Sequence, residues 1–294
     1  MRVSTSQALS TLPFSITITI TMAFDHASIV ARCENPNREC ITHSVGDDSR
    51  HVVVLNQELV VKNGWHVTAE EFRNQQYAYQ HFNCDELRIP RAIEFFEHND
   101  TGYLVMERMS GFRCVSVDIE DDVRTTAQAL HRMHSLPAPD NDAAGPVGGG
   151  YCPLRFEDDV RFENKQDLED FLNARLLRNQ KPRRLFNLKD ENLVFAHLDV
   201  APRNVGRLCN GALCILDWAI AGFYPRWFEI AMLRGCHDPA PGSNQFKDAL
   251  VLALNASSSL TPLEDLYAES LTVVMYNCVA KHLYVIDGDP AVSN

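Results

Sequence analysis

The chain has no Cys-x-x-Cys pair, no block of lysine and arginine, and nothing approaching the roughly 18 uninterrupted apolar residues that cross a bilayer. Each absence excludes something. Nine cysteines, scattered from Cys33 to Cys278, fit neither a disulfide framework nor a zinc site, and read as reduced thiols in a cytoplasmic protein. Lys and Arg number 27 against 39 Asp and Glu, a formal charge of −12. That balance lacks the basic footprint of a nucleic-acid binder, so no nucleic-acid partner is expected, and no membrane partner either. It favours a cationic small-molecule partner. Residues 1–23 carry one early Arg and an apolar middle broken by threonines. They loosely resemble a secretory leader, but an extension ahead of a second start at Met22 is preferred.

What is present suits a globular protein: 294 residues, 45% of them hydrophobic and 22% charged, enough for two lobes with their own cores. Residues 50–62 hold two β-type runs around a turn at Asn56-Gln57. "TAEEFRNQQYAYQHF" (68–82) reads as a helix capped by Thr68, with Glu71 closing a capping box and Phe72, Tyr79 and Phe82 forming its apolar side. Strands follow at 92–96 and 102–106, joined by "HNDTG". Beyond the polar bridge 107–111 the pattern turns helical, with Val123, Ala127, Leu130 and Met133 at helical spacing, a second helix over 166–177, and a third opened by Thr261-Pro262-Leu263-Glu264 and running to about Ile286. The boundaries expected are an N-terminal lobe over 24–106, a hinge at 107–111 and a helical lobe over 112–294. The fold class is therefore α+β, a small antiparallel β-rich lobe followed by a larger, mainly helical one.

The chemistry gathers in "FAHLDVAPRNV" (195–205) and "ILDW" (215–218). Asn210-Gly211 between them is a strong hairpin signal. A two-residue turn there would set Val205 opposite Leu216 and Asn204 opposite Asp217, with their Cβ atoms about 5 Å apart. Asp199 enters the same place from upstream. One carboxylate and one amide oxygen suit Mg²⁺, which keeps waters and phosphate oxygens for its other positions. Asp199 would then accept or orient a hydroxyl proton, the order expected for phosphoryl transfer. The plainer alternative is a polar turn in which Asp199 caps Arg203 or a helix end.

"HLDVAPRNV" and "ILDWAIAGFYP" resemble the aminoglycoside phosphotransferase family, which has a protein-kinase-like two-lobe fold. "GYLVMERMSG", "GPVGGG" and "AGFYPRWFEIA" are similar to its fungal, uncharacterised members. The resemblance implies Asp199 as catalytic residue, Asn204 and Asp217 as Mg²⁺ ligands, and His197 as a structural member of the loop. Leu198 stands where the family usually has Gly, a residue that tolerates positive φ as Leu does not.

A kinase-like site also needs a cation on the nucleotide phosphates and a carboxylate holding it. Lys62, ending "ELVVK", is the best-placed lysine, and the family pattern points to Glu71, with Glu70 as the alternative. Met106, Glu107 and Met109 form the hinge, whose backbone would take the adenine of ATP. The phosphate-covering loop, 43–54, has only Gly46, and "VGGG" (147–150) reads as a turn in an insert. The activity implied is ATP- and Mg²⁺-dependent transfer to a hydroxyl of a small molecule. Two alternatives stay open: a nucleotide-binding module with impaired catalysis, and a protein Ser/Thr kinase.

Overall fold

A computed structural model describes residues 25–41, 51–140, 142–152, 160–176 and 184–283. The leader-like residues 1–23 and the first part of the expected phosphate loop lie outside them.

The N-terminal lobe is a four-stranded antiparallel sheet. It is built from β1 (His51–Val54), β2 (Leu59–Gly64), β4 (Ala92–His98) and β5 (Thr101–Glu107), in the order β1-β2-β5-β4. Helix α1 (His26–Glu34), which the sequence reading did not anticipate, lays Ile29, Val30 and Cys33 on Val53, Leu59, Val61 and Val105. Asn56 shapes the β1–β2 turn, its side-chain oxygen accepting from the amides of Glu58 and Leu59 at 2.8 Å each. Between β4 and β5, Asn99 and Asp100 take φ of 48° and 57°, a type I′ turn suited to the twist of a tight hairpin. Strand alternation turns Leu59 and Val61 toward α1 and therefore Lys62 toward the opposite face.

Helix α2 (Ala69–Phe82) crosses that opposite face, with Thr68 accepting from the Glu71 amide. Its buried face is Glu71, Asn74, Gln75, Ala78 and Phe82. Of the apolar side expected, Phe82 is buried and Phe72 and Tyr79, half-buried, pack against apolar clusters, but polar Glu71, Asn74 and Gln75 share the buried face.

The short strand β3 (Leu87–Arg88) joins the far lobe, pairing parallel to β9 (Leu213–Ile215) in a sheet with β8 (Val205–Arg207) and β6 (Arg113–Cys114). Helices α3 (Glu120–His134), α4 (Lys165–Leu176), α5 (Trp227–Gly235), α6 (Ser243–Ser257) and α7 (Pro262–Leu283) make up the C-terminal lobe. Their core includes Trp218, Tyr224, Trp227, Phe246 and Tyr267, all essentially inaccessible. A reciprocal capping box starts α7: Thr261 Oγ1 accepts from the Glu264 amide, and Glu264 Oε2 from the Thr261 amide. Asp122, in the first turn of α3, is buried against Arg207 Nε at 2.9 Å. It fastens α3 to β8. The remaining pair, β7 (Leu193–Ala196) with β10 (Gly222–Pro225), runs straight into the polar loop at His197. No helix among the described residues is long and apolar enough to cross a membrane.

Candidate active site

The hairpin after the loop is real, but its register differs by one from the expectation. Val205 faces Ile215 and Arg207 faces Leu213. The connection is a three-residue loop, Cys209-Asn210-Gly211, closed by the Leu208 amide on the Ala212 carbonyl, with Gly211 left-handed at φ 85°. A type I turn ending in a left-handed Gly is the usual three-residue hairpin, and it won over the two-residue turn. Asn204 consequently faces Leu216, whose amide donates to the Asn204 carbonyl at 2.8 Å. Asp217 lies one residue past the ladder, at φ 62°, and that left-handed step aims it across the cleft.

On the loop itself, Asn204 Nδ2 donates to the carbonyl of Asp199 at 2.9 Å and to its Oδ2 at 2.8 Å. With the nitrogen committed, the amide oxygen is the atom left for a cation. Arg203 donates to Asp199 Oδ1 and, with its other Nη, to Asp238 Oδ2. The contact of Asp199 with Arg203, raised in the plainer alternative, therefore exists alongside the Asp199–Asn204 contact. Asp238 is buried. Burial works against its charge, but the Ala240 amide and Arg203 hold its carboxyl below the usual range.

His197 accepts at Nδ1 from the Asp199 amide (3.2 Å) and donates from Nε2 to the Leu216 carbonyl (3.0 Å). It ties the loop to the residue before Asp217. Leu198 adopts φ 67°, the left-handed backbone that Gly would take without cost. What holds it there is Glu229 on α5, which accepts the His197 amide at 2.9 Å and the Leu198 amide at 3.0 Å. Leu198 is also buried, at 2% exposure. Relief of the left-handed backbone in Leu198→Gly is worth about 1–2 kcal/mol, whereas losing a buried Leu side chain costs about 2–5 kcal/mol. The Gly variant is therefore expected to be less stable, by up to about 4 kcal/mol, read as a lower denaturation midpoint.

Across the cleft, Lys62 Nζ lies 2.6 Å from Glu71 Oε1 and 2.9 Å from Asp217 Oδ1. Burial alone would push the ammonium down, but Asp217 and Glu71 outweigh it and hold its pKa above the ordinary value. Lys62 is thus a fixed positive charge at neutral pH. Glu70, the alternative partner, pairs with Arg73 instead. The hinge is partly spent on structure. Met106 and Glu107 belong to β5, the Glu107 amide donates to the Arg91 carbonyl, and the Glu107 carboxylate takes Arg88 and the Arg91 amide. The Glu107 amide therefore already serves the sheet. Met109 makes no hydrogen bond among the described residues and sits past the strand end.

Residues 41–262 match the phosphotransferase enzyme family. The chain belongs to that family. A curated relative, the aminoglycoside 3'-phosphotransferase of Enterococcus faecalis, is 22% identical over 166 residues, half of this chain and 58% of that protein. Among solved structures, a thermostable mutant of the aminoglycoside phosphotransferase APH(4)-Ia superposes with a TM-score of 0.51 at 17% identity, covering 83% of this chain and 89% of that one. Spectinomycin phosphotransferase APH(9)-Ia, in complex with ADP and spectinomycin, gives 0.50 at 11% identity, covering 83% and 82%. The fold is kinase-like.

For a phosphotransferase-family chain, two contacts here were missed in sequence. Glu229 accepts two backbone amides of the loop and lies 3.5 Å from His134. Asp238 had no motif around it. Neither partner can be found from spacing, because each contact spans more than 30 residues between separate elements. A cavity of about 670 Å³ beside Lys165, Glu191 and Tyr267 lies at the other end of β7 from the loop, and forms no part of this site.

Proposed function

We propose that the chain transfers the γ-phosphoryl group of ATP to a hydroxyl of a small cationic molecule, with Asp199 as the catalytic residue. The observation that carries this reading is the committed amide nitrogen of Asn204 on Asp199, which leaves an amide oxygen beside a cleft closed by Asp217 and the Lys62–Glu71 pair.

Among the described residues no three His, Cys, Asp or Glu cluster into a cage for a metal. One amide oxygen and one carboxylate fit Mg²⁺, which binds through few protein ligands and keeps waters and phosphate oxygens. Asn204 and Asp217 would hold it, and its charge would serve to neutralise the phosphates of the bound nucleotide. Lys62 supplies a second, fixed positive charge for the phosphates, oriented by Glu71. The free Met109 backbone is the best-placed partner for adenine. Asp199, steadied by Arg203 and Asn204, orients the acceptor hydroxyl and takes its proton as the hydroxyl oxygen bonds to the γ-phosphorus and the γ-phosphorus–oxygen bond to the departing ADP breaks.

The left-handed backbone of Leu198 supports turnover over the impaired alternative, since the loop keeps the geometry that Gly provides elsewhere. The net charge of −12 supports a cationic acceptor, as do the aminoglycosides named for the relatives. The test is ATP turnover against a panel of aminoglycosides, amino alcohols and neutral polyols. Turnover with the highest kcat/KM on a cationic member is expected. A neutral or anionic best acceptor would remove the cationic assignment, and no transfer to any hydroxyl would remove the reading itself.

A further inference from the structure

Helix α2 buries a face that is largely polar, and two of its residues have partners outside the site. The Asn74 side chain is fully buried: its Nδ2 donates to the carbonyls of Trp218 (3.2 Å) and Ala221 (2.7 Å), and its Oδ1 accepts the Val147 amide (2.9 Å). Two carbonyls on the nitrogen and one N–H on the oxygen admit a single orientation of the amide. One residue earlier, Arg73 donates from Nε to the Val147 carbonyl at 2.9 Å and from Nη2 to the Gly149 carbonyl at 2.8 Å. Both residues therefore grip the same piece of backbone, in the "GPVGGG" run that the phosphotransfer chemistry leaves unused.

That run is itself anchored. Gly145 exchanges two hydrogen bonds with Phe223 on β10, at 2.9 and 2.7 Å, and a Cβ on the adjacent Gly222 would meet the Gly145 carbonyl oxygen at 2.3 Å. Gly148, Gly149 and Gly150 have φ of 74°, 72° and 129°, conformations that only Gly holds cheaply. At Gly150 the approach is tight as well, since an added Cβ would lie 2.3 Å from Glu70 Oε1. The glycines thus let C-terminal-lobe backbone lie flat on the first two turns of α2.

We propose that residues 145–150 form a strap that positions α2, with Arg73 and Asn74 as positioning residues acting through Glu71 and Asp217. The strap is fixed to β10, which pairs with the strand leading into the catalytic loop. Asn74 is fixed in turn to the carbonyls just after Asp217. Lys62, Glu71 and Asp217 are therefore set as one unit from the C-terminal lobe, before nucleotide arrives. The consequence for function rests on the phosphotransferase reading, whereas the coupling of strap to helix does not.

Two variants test it. Arg73→Ala removes the partly exposed guanidinium, and Gly150→Ala strains the strap backbone at φ 129° while its Cβ crowds the Glu70 side chain that pairs with Arg73. Hydrogen exchange of residues 69–75 is the first readout and affinity for Mg²⁺·AMP-PNP the second, with the thermal midpoint as a control on folding. Both variants are expected to speed exchange in 69–75 by about tenfold, as loss of one or two charge-assisted bonds implies. They should weaken nucleotide binding by a similar factor, with Arg73→Lys recovering part of each loss. Faster exchange confined to the strap, with 69–75 unchanged, would overturn the proposal. If wild-type protein binds no nucleotide, the phosphotransferase reading fails, while the exchange data still decide whether the strap holds α2. Loosened α2 with unchanged nucleotide affinity would show that the strap does not position the site.

Discussion

Asp199→Ala is expected to lower kcat for phosphoryl transfer by about 10²–10⁴-fold, the range for removing a positioned general base. Nucleotide affinity should change far less than kcat, because the Asn204 amide nitrogen keeps its bond to the backbone carbonyl of residue 199 and the nucleotide-side charges are Lys62, Glu71 and Asp217. Single-turnover kinetics alongside a binding titration separate the two effects. Asp199→Asn sharpens the result. The amide keeps an oxygen that can orient a hydroxyl but cannot take its proton. Near-wild-type kcat in Asn with a large loss in Ala would mean that orientation dominates, and equal losses would mean that proton transfer does. An unchanged kcat in Asp199→Ala would end the assignment of Asp199 as the catalytic residue.

The Arg203 contact bears on the same experiment. A guanidinium held between Asp199 and the buried Asp238 stabilises the ionised carboxylate in a fixed orientation. In Asp199→Ala it loses one of two anionic partners while Asp238 still holds it. The loop is therefore expected to keep its shape, and the loss in rate can be read as lost chemistry rather than lost structure.

Much of this site was legible because its signals are local. Thr68 caps the helix it was expected to cap, Lys62 faces the cleft by strand alternation, and Asp199 and Asn204 are five residues apart on one loop. The hairpin register was missed by one residue for a definite reason. Asn-Gly suits both a two-residue I′ turn and the end of a three-residue loop, and only the flanking ladder decides between them. The I′ geometry appears instead at Asn99-Asp100. Helix α2 misled in another way: its aromatics look like the whole of a core stripe in sequence, whereas its buried face also takes in Glu71, Asn74 and Gln75. Each of these satisfies a partner more than seven residues away, from Lys62 to the Pro90 carbonyl. Long-range polar contacts leave no period to read.

Glu229→Ala carries the largest expected loss of stability, about 3–5 kcal/mol, the range for breaking a buried charged group away from its partners. The carboxylate is wholly buried, and its two oxygens satisfy the amides of His197 and Leu198. Alanine would orphan both amides and release a left-handed Leu, so the loop would lose the contact that fixes the backbone before Asp199. Glu229→Gln should cost less, because its single carbonyl oxygen still serves one amide while its NH₂ opposes the other. Chemical denaturation should therefore rank wild type above Gln above Ala, with kcat falling in the same order. Acid provides an independent check. Burial would raise the Glu229 pKa, yet His134 and His197 outweigh it and leave the carboxyl below the ordinary carboxylate value. A group depressed in the folded state contributes stability that is present above its unfolded pKa and is lost as pH falls through the folded value. Wild type should thus lose stability on acidification below about pH 4.5 more steeply than Glu229→Gln, which has no proton to gain there. Identical acid limbs in the two proteins would mean that Glu229 holds the loop as a neutral group, and the role of its charge would have to be abandoned.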